Sequence, residues 1–262
     1  YNDSTYSNLT QATTTASTGG YDADYQAVLD YATANSIPLP TTAESDANNQ
    51  LLIDYKATGA WAKDDCLFKF KGSADSAFKL ICWKRRIQAI GYGSLAWSVD
   101  GVKGNASNAY IDPLYNPRTL TGKYKVNDAS IGFKTFDVGT VGTRTIAGAY
   151  VNGSDDGYSL IIPNSSDSYM ALNRVTTSTR QSNYASTEYT QIDRLPNNDS
   201  NLNNVFKFNI APDSKVASAF FILARNNNGN PDVFGDQGIS FIRFGGDTSS
   251  EYSAVKTVID SI

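Results

Sequence analysis

The chain has 262 residues, a formal net charge of −4 at pH 7, and a small share of charged residues, at 18%. No cluster of lysine and arginine stands out, so nucleic acid is not an expected partner, because phosphate binding needs grouped cations. Histidine is absent and glutamate occurs three times, so the commonest general base and the commonest metal ligand are missing.

Residues 1–20 are rich in serine, threonine and asparagine and carry few apolar side chains. A segment of this composition cannot bury enough apolar surface to offset the entropy that it loses on ordering. We therefore predict an extended arm or linker, with Tyr1, Tyr6 and Leu9 as isolated anchors that dock it on a partner. A flexible tail that contacts nothing is the alternative.

Two short helices are predicted in the next segment, residues 21–62. Apolar residues recur at helical spacing from Tyr25 to Ala32, and Pro38 ends this first helix. A second helix is predicted from near Thr42 to Gly59, because acidic residues fill its first turn and a glycine marks its end. Neither helix can form a core alone, so both must pack on the sequence that follows.

A strand-like pattern begins after the helices. Residues 66–70 and 78–82 both alternate in side-chain polarity, which predicts a hairpin that pairs Phe70 with Phe78. The same register pairs Cys66 with Cys82, within the geometry of a cross-strand disulfide. Synthesis in a reducing cytoplasm would keep both thiols reduced. We predict a cross-strand thiol pair and leave its oxidation state open.

Residues 63–262 are predicted to form one antiparallel jelly-roll β-sandwich with a short C-terminal helix. Turns rich in asparagine, aspartate and glycine separate ten or more short strands, which is typical of sandwiches and jelly rolls. The closing helix is predicted at residues 249–262, with Tyr252, Val255 and Ile259 on one face. The later strands are predicted at residues 93–102, 107–112, 128–136, 143–151, 157–162, 168–174, 185–194, 203–210, 217–225 and 238–245.

Several segments of the chain resemble virion structural proteins of tailed phages. They read YDADYQAVLDYATANSIPLP, NNQLLIDYKATGAWAKDDCLFKF, AFKLICWK, VKGNASNAYIDPLYNP and ISFIRFGGDTSSEYSAVKTVIDSI. In that group a helical segment precedes a concanavalin A-like (laminin-G-like) jelly roll. The resemblance therefore implies a lectin-like sandwich on the particle surface, as capsid decoration, head fibre or tail-fibre component. It does not by itself imply a ligand.

The inventory of residues argues against catalysis. Glycoside hydrolases on lectin-like sandwiches present paired carboxylates on one strand, and no Glu-x-Asp-x-Glu pattern occurs in this chain. We therefore predict that the protein is not an enzyme and needs no cofactor. Calcium is a possible exception, because loop oxygens often hold it in lectin-like sandwiches. Its candidate ligands are Asp112, Asp128, Asp155 and Asp156, for which turn capping is the alternative role.

Two functions remain open at this point. The first is a virion structural protein on the particle surface, with other virion proteins and copies of itself as partners. The second is a receptor- or glycan-binding adhesion module, of phage or secreted bacterial origin, that binds a host surface glycan. Its predicted glycan face consists of Tyr150, Tyr158 and Tyr169. No apolar run approaches the ~20 residues of a membrane-spanning helix, so no membrane insertion is expected.

Overall fold

Two large and mostly antiparallel sheets form a sandwich in the computed structural model of the protein. The structure describes residues 20–140, 145–151, 158–162, 167–174, 179–182, 187–203, 205–209, 214–215 and 218–262. The helices in these ranges are α1 (Ala23–Ala34), α2 (Thr42–Ala57), α3 (Ser76–Lys79) and α4 (Tyr252–Asp260), with 3₁₀ turns at Ala60–Lys63 and Ser249–Glu251. No helix in the described ranges is both long and apolar enough to cross a membrane.

The strands are short, and about half of the pairings between described strands join strands that are not consecutive in the chain. They are β1 (Asp64–Lys69), β2 (Ile81–Cys82), β3 (Ile87–Gln88), β4 (Ile90–Tyr92), β5 (Ala96–Ser98), β6 (Gly101–Lys103), β7 (Tyr110–Asp112), β8 (Ala129–Asp137), β9 (Ala147–Tyr150), β10 (Tyr158–Ile162), β11 (Asp167–Arg174), β12 (Thr179–Ser182), β13 (Tyr189–Arg194), β14 (Asp199–Leu202), β15 (Val205–Asn209), β16 (Phe221–Ile222), β17 (Arg225–Asn227), β18 (Asn230–Asp232) and β19 (Gly238–Gly245).

The first sheet has the strand order β15-β14-β13-β8-β19-β6-β5, and β1 also pairs with β19. The second sheet has the order β12-β11-β10-β9-β16-β7-β4, and the β17–β18 hairpin pairs with β9. The main core lies between the two sheets and includes Phe68, Phe133 and Ile222, all fully buried. On β8, for example, the alternate residues Ala129, Ile131 and Phe133 all belong to this core, as the pleat requires.

The helices cover the outer face of the first sheet. Val28 of α1, Leu52 of α2 and Val255 of α4 are buried in a second apolar cluster against Phe241 of β19. Strand β19 is therefore buried on both faces, and every one of its residues is buried. Such two-sided burial explains why apolar residues of β19 lie on both faces of the sheet, with Ile242 in the main core and Phe241 in the second cluster.

Local signals explain why the helices begin and end where they do. An Asp22 carboxylate oxygen accepts a hydrogen bond from the Asp24 backbone at 3.0 Å, and Thr41 Oγ1 accepts one from the Glu44 backbone at 3.3 Å. Both are N-cap contacts, which satisfy amides that the helix leaves unpaired. Gly59, with φ of +86°, follows α2 in the left-handed conformation that ends many helices.

The predicted fold class, a mainly β antiparallel sandwich that follows a short helical segment, is confirmed by this architecture. The domain boundaries at residues 20, 62 and 262 stay predictions. Residues 1–19 of the predicted arm lie outside the described residues, and so do the anchors Tyr1, Tyr6 and Leu9.

The predicted hairpin between residues 66–70 and 78–82 is wrong. Strand β1 pairs with β19 instead, where Cys66 lies opposite Phe244. Residues 76–79 form helix α3, because the Asp75 side chain caps the Ala77 amide at 2.8 Å. Cys66 and Cys82 are therefore not a cross-strand pair, yet the fold places their Sγ atoms 3.0 Å apart in the core. A short alternating segment fits one helical turn as well as a strand.

Candidate functional site

The outer face of the second sheet carries a row of aromatic side chains. Tyr92 of β4 and Tyr110 of β7 are register partners, and their rings stack at 8° with centroids 4.6 Å apart. Phe221 of β16 continues the row, with its centroid 4.7 Å from that of Tyr110. Phe234 lies 6.2 Å from the Tyr110 ring on the same surface. We call Tyr92, Tyr110, Phe221 and Phe234 the aromatic face.

Strand alternation explains why these rings lie on the outside. Ile111 and Ile222 are register partners and both belong to the core between the sheets. Their neighbours Tyr110 and Phe221 therefore lie on the opposite face of the sheet. On this face Tyr92 is 39% exposed and its strand neighbour Ile90 is 43% exposed, Tyr110 and Phe234 are half-buried, and Phe221 is only 6% exposed. Clustered apolar exposure of this kind marks binding surfaces on soluble proteins.

The loop between β6 and β7 fixes the position of Tyr92 and Tyr110. The Asn105 Oδ1 atom accepts hydrogen bonds at 2.9–3.0 Å from three backbone amides, those of Ser107, Asn108 and Ala109. Gly93 lies against this loop with φ of +66°, and a Cβ there would lie 2.4 Å from the Asn108 carbonyl oxygen. Only glycine permits that approach, so the end of β4 is held against the loop.

Asp112 provides a carboxylate at the border of the aromatic face. It is the register partner of Ile90, and its Oδ1 atom accepts a hydrogen bond from the Leu114 backbone at 2.8 Å. Burial raises the pKa of Asp112, and the bond from Leu114 partly offsets this effect. Burial also raises the pKa of Tyr110, and Tyr92 and Asp112 raise it further. The Tyr110 hydroxyl therefore stays protonated at neutral pH and can donate a hydrogen bond.

An ion pair adjoins the aromatic face. Arg225 and Phe221 share Gly148 of β9 as register partner, so they lie close together on the sheet. Arg225 donates from Nε and Nη2 to the two carboxylate oxygens of Asp232, both at 2.6 Å. Its guanidinium lies 5.1 Å from the centre of the Tyr150 ring. The bidentate geometry fixes the plane of the guanidinium beside the aromatic row.

The predicted glycan face maps to three neighbouring strands of the second sheet. Tyr150 lies on β9 and contacts Arg225. Tyr158 and Tyr169 lie on β10 and β11, and their side chains fall outside the described part of the chain. Sequence reasoning missed Tyr92 and Phe221, because only long-range pairing brings β4, β7 and β16 together.

The calcium candidates do not meet at one place within the described residues. Asp155 and Asp156 lie outside them. Asp128 accepts a hydrogen bond from the Asp247 backbone at 2.7 Å, which is a turn-capping contact, and Asp112 caps Leu114 in the same way. In the described ranges no group of three or more histidine, cysteine, aspartate or glutamate side chains could hold a metal.

A small pocket of about 210 Å³ lies at one end of the first sheet. Its lining residues are Ala62, Lys63, Lys123, Lys125, Asp128, Pro196, Gly246 and Asp247. Lys63 already forms an ion pair with Glu251 at 2.9 Å. With three lysines, two lining aspartates and this glutamate, the pocket has no excess charge to hold an ionic ligand. The aromatic face is the stronger candidate site.

A buried polar network lies between the first sheet and the helices. Arg243 of β19 donates to Asp64 of β1, and both side chains are fully buried. Arg243 also donates to Ser130 Oγ at 2.8 Å and to Thr248 Oγ1 at 2.7 Å, and Tyr55 of α2 donates to Asp64 at 2.7 Å. Because solvent does not reach these groups, the network attaches α2 to the sheet and offers no surface to a ligand.

Neither a protein-family profile nor a curated protein matches this chain by sequence. Solved structures similar to it include Trypanosoma rangeli sialidase in complex with sialic acid, with a TM-score of 0.49, 11% identity, and coverage of 84% of this chain and 40% of the sialidase. Domain 4 of an extracellular GH43 arabinanase from Geobacillus stearothermophilus, in complex with arabinotriose, has a TM-score of 0.44, 17% identity, and coverage of 74% and 98%. The CBM40 of the Ruminococcus gnavus IT-sialidase, bound to α2,3-sialyllactose, has a TM-score of 0.36, 13% identity, and coverage of 51% and 84%. The chain thus spans 40% of the length of the sialidase that it matches.

The prediction that the chain is not an enzyme is wrong, because the solved structures similar to it include sialidases and an arabinanase domain. That prediction rested on the absence of histidine and of a paired-carboxylate pattern. Some glycosidases use a tyrosine nucleophile in place of the second carboxylate, so these absences do not exclude carbohydrate cleavage. The phage origin implied by the sequence resemblance is not reflected in these three matches, which are all carbohydrate-active proteins.

Proposed function

We propose that the chain is a glycan-binding module whose aromatic face packs against sugar rings. The observation that carries this proposal is the stacked pair of Tyr92 and Tyr110 on the outer face of the second sheet, with the tilted and largely buried ring of Phe221 packed beside Tyr110. A sugar ring has one face lined by C–H groups, and packing that face on aromatic rings removes apolar surface from water. The helices do not compete for this surface, because they cover the first sheet.

Polar groups beside the aromatic row can fix the orientation of a bound sugar, which stacking alone does not. Asp112 offers a carboxylate acceptor, and the Tyr110 hydroxyl offers a donor. On the other side of Phe221, the ion pair of Arg225 and Asp232 is fixed in place by two hydrogen bonds. A sugar that covers these polar groups without forming hydrogen bonds to them removes them from water and leaves them unpaired. Such a sugar binds with a less favourable free energy than one that forms the hydrogen bonds.

The expected affinity for a single sugar is low. A single stacked sugar gains only ~25 cal/mol for each Å² of apolar surface that it buries, and the cost of association offsets most of this gain. We therefore expect a dissociation constant in the millimolar range or weaker. An oligosaccharide that spans the whole row would bind more tightly, because each additional stacked unit adds a similar contribution.

Affinity electrophoresis of the full chain against a panel of polysaccharides tests this proposal. We expect retention by at least one glycan, and a loss of about tenfold in affinity for Tyr92→Ala, which removes an exposed ring without opening the core. Val205→Ala is the matched control, because Val205 is 56% exposed on β15 of the first sheet. The proposal fails if no glycan retains the chain, or if Tyr92→Ala is retained as strongly as the control. Product analysis of the same incubations shows whether a retained glycan is also cleaved.

The virion-surface location, with other virion proteins and copies of the chain as partners, stays a prediction of the sequence resemblance. Peptide mass spectrometry of purified particles tests it independently of glycan binding. The prediction fails if the chain is absent from the particles.

A further inference from the structure

The two cysteines of the chain meet in the main core. Their Sγ atoms lie 3.0 Å apart, and both side chains are fully buried. This distance is shorter than an ordinary contact between two non-bonded sulfur atoms, and a disulfide bond of about 2.0 Å needs about 1 Å of further approach. Changes in the side-chain torsions of the two cysteines shorten the distance between their Sγ atoms.

The backbone on both sides of the pair is fixed. Cys66 lies in β1, whose register with β19 runs on through Leu67 and Phe68. The Trp83 amide, next to Cys82, donates to the Leu67 carbonyl, next to Cys66, at 2.9 Å. The two cysteines cannot separate without breaking this hydrogen bond, so their proximity is a property of the fold.

The surroundings of the two sulfurs differ. Burial raises the pKa of Cys66 well above its ordinary value. Burial alone would raise the pKa of Cys82 too, but a hydrogen bond from Cys66 and backbone hydrogen bonds with Leu67, Arg85 and Lys84 lower it. In the folded chain Cys82 is therefore the more readily ionised of the two thiols.

We propose that Cys66 and Cys82 form an intramolecular disulfide when the chain folds in an oxidising compartment, with glutathione disulfide or a similar small disulfide as the oxidant. During folding, the thiolate of either cysteine attacks the oxidant and displaces one glutathione thiolate, which leaves a mixed disulfide on that cysteine. The thiolate of the other cysteine then attacks the protein sulfur of this mixed disulfide and displaces the second glutathione thiolate. Two protein thiols and one glutathione disulfide become one protein disulfide and two glutathione thiols, which take up the two protons.

The bond has to form while the core is still accessible. Both sulfurs are shielded in the folded chain, so a glutathione-sized oxidant reaches them during folding, and a reductant does not reach the finished bond. The cysteines are 16 positions apart, and closing a loop of that size shifts the folding equilibrium by about a hundredfold. For a chain of this length we expect a rise in Tm of roughly 6–12 °C.

Refolding of the full chain tests the proposal. Denatured, reduced chain is refolded in a glutathione redox buffer, then denatured again in excess maleimide, and the mass and the non-reducing gel mobility are measured. The expected product is a monomer that takes up no maleimide and weighs two hydrogen atoms less than the reduced chain. Cys66→Ala/Cys82→Ala, refolded in parallel, is the control for stability without either thiol.

Two comparisons of melting temperature test the proposal further. The oxidised wild type should melt at a higher temperature than the reduced wild type, and the reduced wild type should melt close to the double alanine variant. Recovery of two maleimide-reactive thiols, formation of disulfide-linked dimers, or a lower Tm for the oxidised monomer overturns the proposal. None of these results depends on glycan binding.

Discussion

Replacing Arg243 with methionine removes one half of a fully buried ion pair. Arg243 and Asp64 both have 0% side-chain exposure, and methionine keeps most of the apolar volume of the arginine. The Asp64 carboxylate then retains the Tyr55 hydroxyl, at 2.7 Å, but has lost its counter-charge. Breaking a buried pair in this way costs about 3–5 kcal/mol. We expect Arg243→Met to lose that much free energy of unfolding at pH 7.

Urea unfolding followed by tryptophan fluorescence measures this loss, because Trp61 and Trp83 are buried beside the helices. A loss of about 3–5 kcal/mol corresponds to a fall in Tm of roughly 6–20 °C for a chain of this size. If Arg243→Met does not fold, Tyr55→Phe gives a milder measurement, because it removes one hydrogen bond to the same carboxylate. Its expected cost is about 1–2 kcal/mol.

The pH dependence of Arg243→Met identifies the cause of the loss. Burial raises the pKa of Asp64 even in the wild-type chain, and Arg243 opposes that rise. Without Arg243 the folded-state pKa lies further above the unfolded value of about 3.9. The variant should therefore be most stable below the unfolded pKa and lose stability as the pH rises through the folded pKa.

The double variant Asp64→Asn/Arg243→Met is the matched control, because it has no buried carboxylate. It should recover at least half of the loss at pH 7 and lack the pH dependence of the single variant. A cost below about 1 kcal/mol for Arg243→Met, or identical pH profiles for the two variants, would refute the assignment of Asp64 as the uncompensated charge.

Three further predictions concern single sites. Burial raises the pKa of Asp193 to about 6, so stability should fall by about 2 kcal/mol between pH 4 and pH 7. Asp193→Asn should lack this component in a Tm-against-pH series, and an unchanged profile contradicts the prediction. Gly93→Ala should lose about 1–3 kcal/mol in urea unfolding, because its φ is +66°; an unchanged midpoint contradicts it. Lys134 Nζ donates to three carbonyl oxygens at the end of α4. Lys134→Met should therefore lower the protection of α4 amides in hydrogen exchange, and wild-type protection in the variant contradicts the prediction.

The helices could be predicted from local sequence, because their determinants are local. The predicted start near Thr42 and end at Gly59 match α2, which spans Thr42–Ala57. The closing helix was predicted from the spacing of Tyr252, Val255 and Ile259, and α4 buries Val255 and Ile259. Caps and apolar spacing are properties of a few neighbouring residues, so they can be read without knowledge of the fold.

The strand pairing and the candidate site could not be predicted in the same way. Strand β1 takes its hydrogen bonds from β19, more than 170 positions away in sequence, and nothing local distinguishes that partner from a hairpin partner. The aromatic face likewise depends on three strands, β4, β7 and β16, that are far apart in the chain. Tyr92 stands between two glycines in the sequence, and its exposure follows only from the pairing with Tyr110.

Glycan binding at the aromatic face is tested most directly by backbone amide chemical-shift mapping. Isotope-labelled full chain is titrated with the polysaccharide fragment that retains it most strongly in electrophoresis. We predict that the largest shifts fall in β4, β7 and β16, at residues 90–92, 110–112 and 221–222, and that Tyr92→Ala reduces them while Val205→Ala does not. Shifts that centre instead on the pocket around Lys63 and Lys125, or no saturable shifts with any retained glycan, would contradict the assignment.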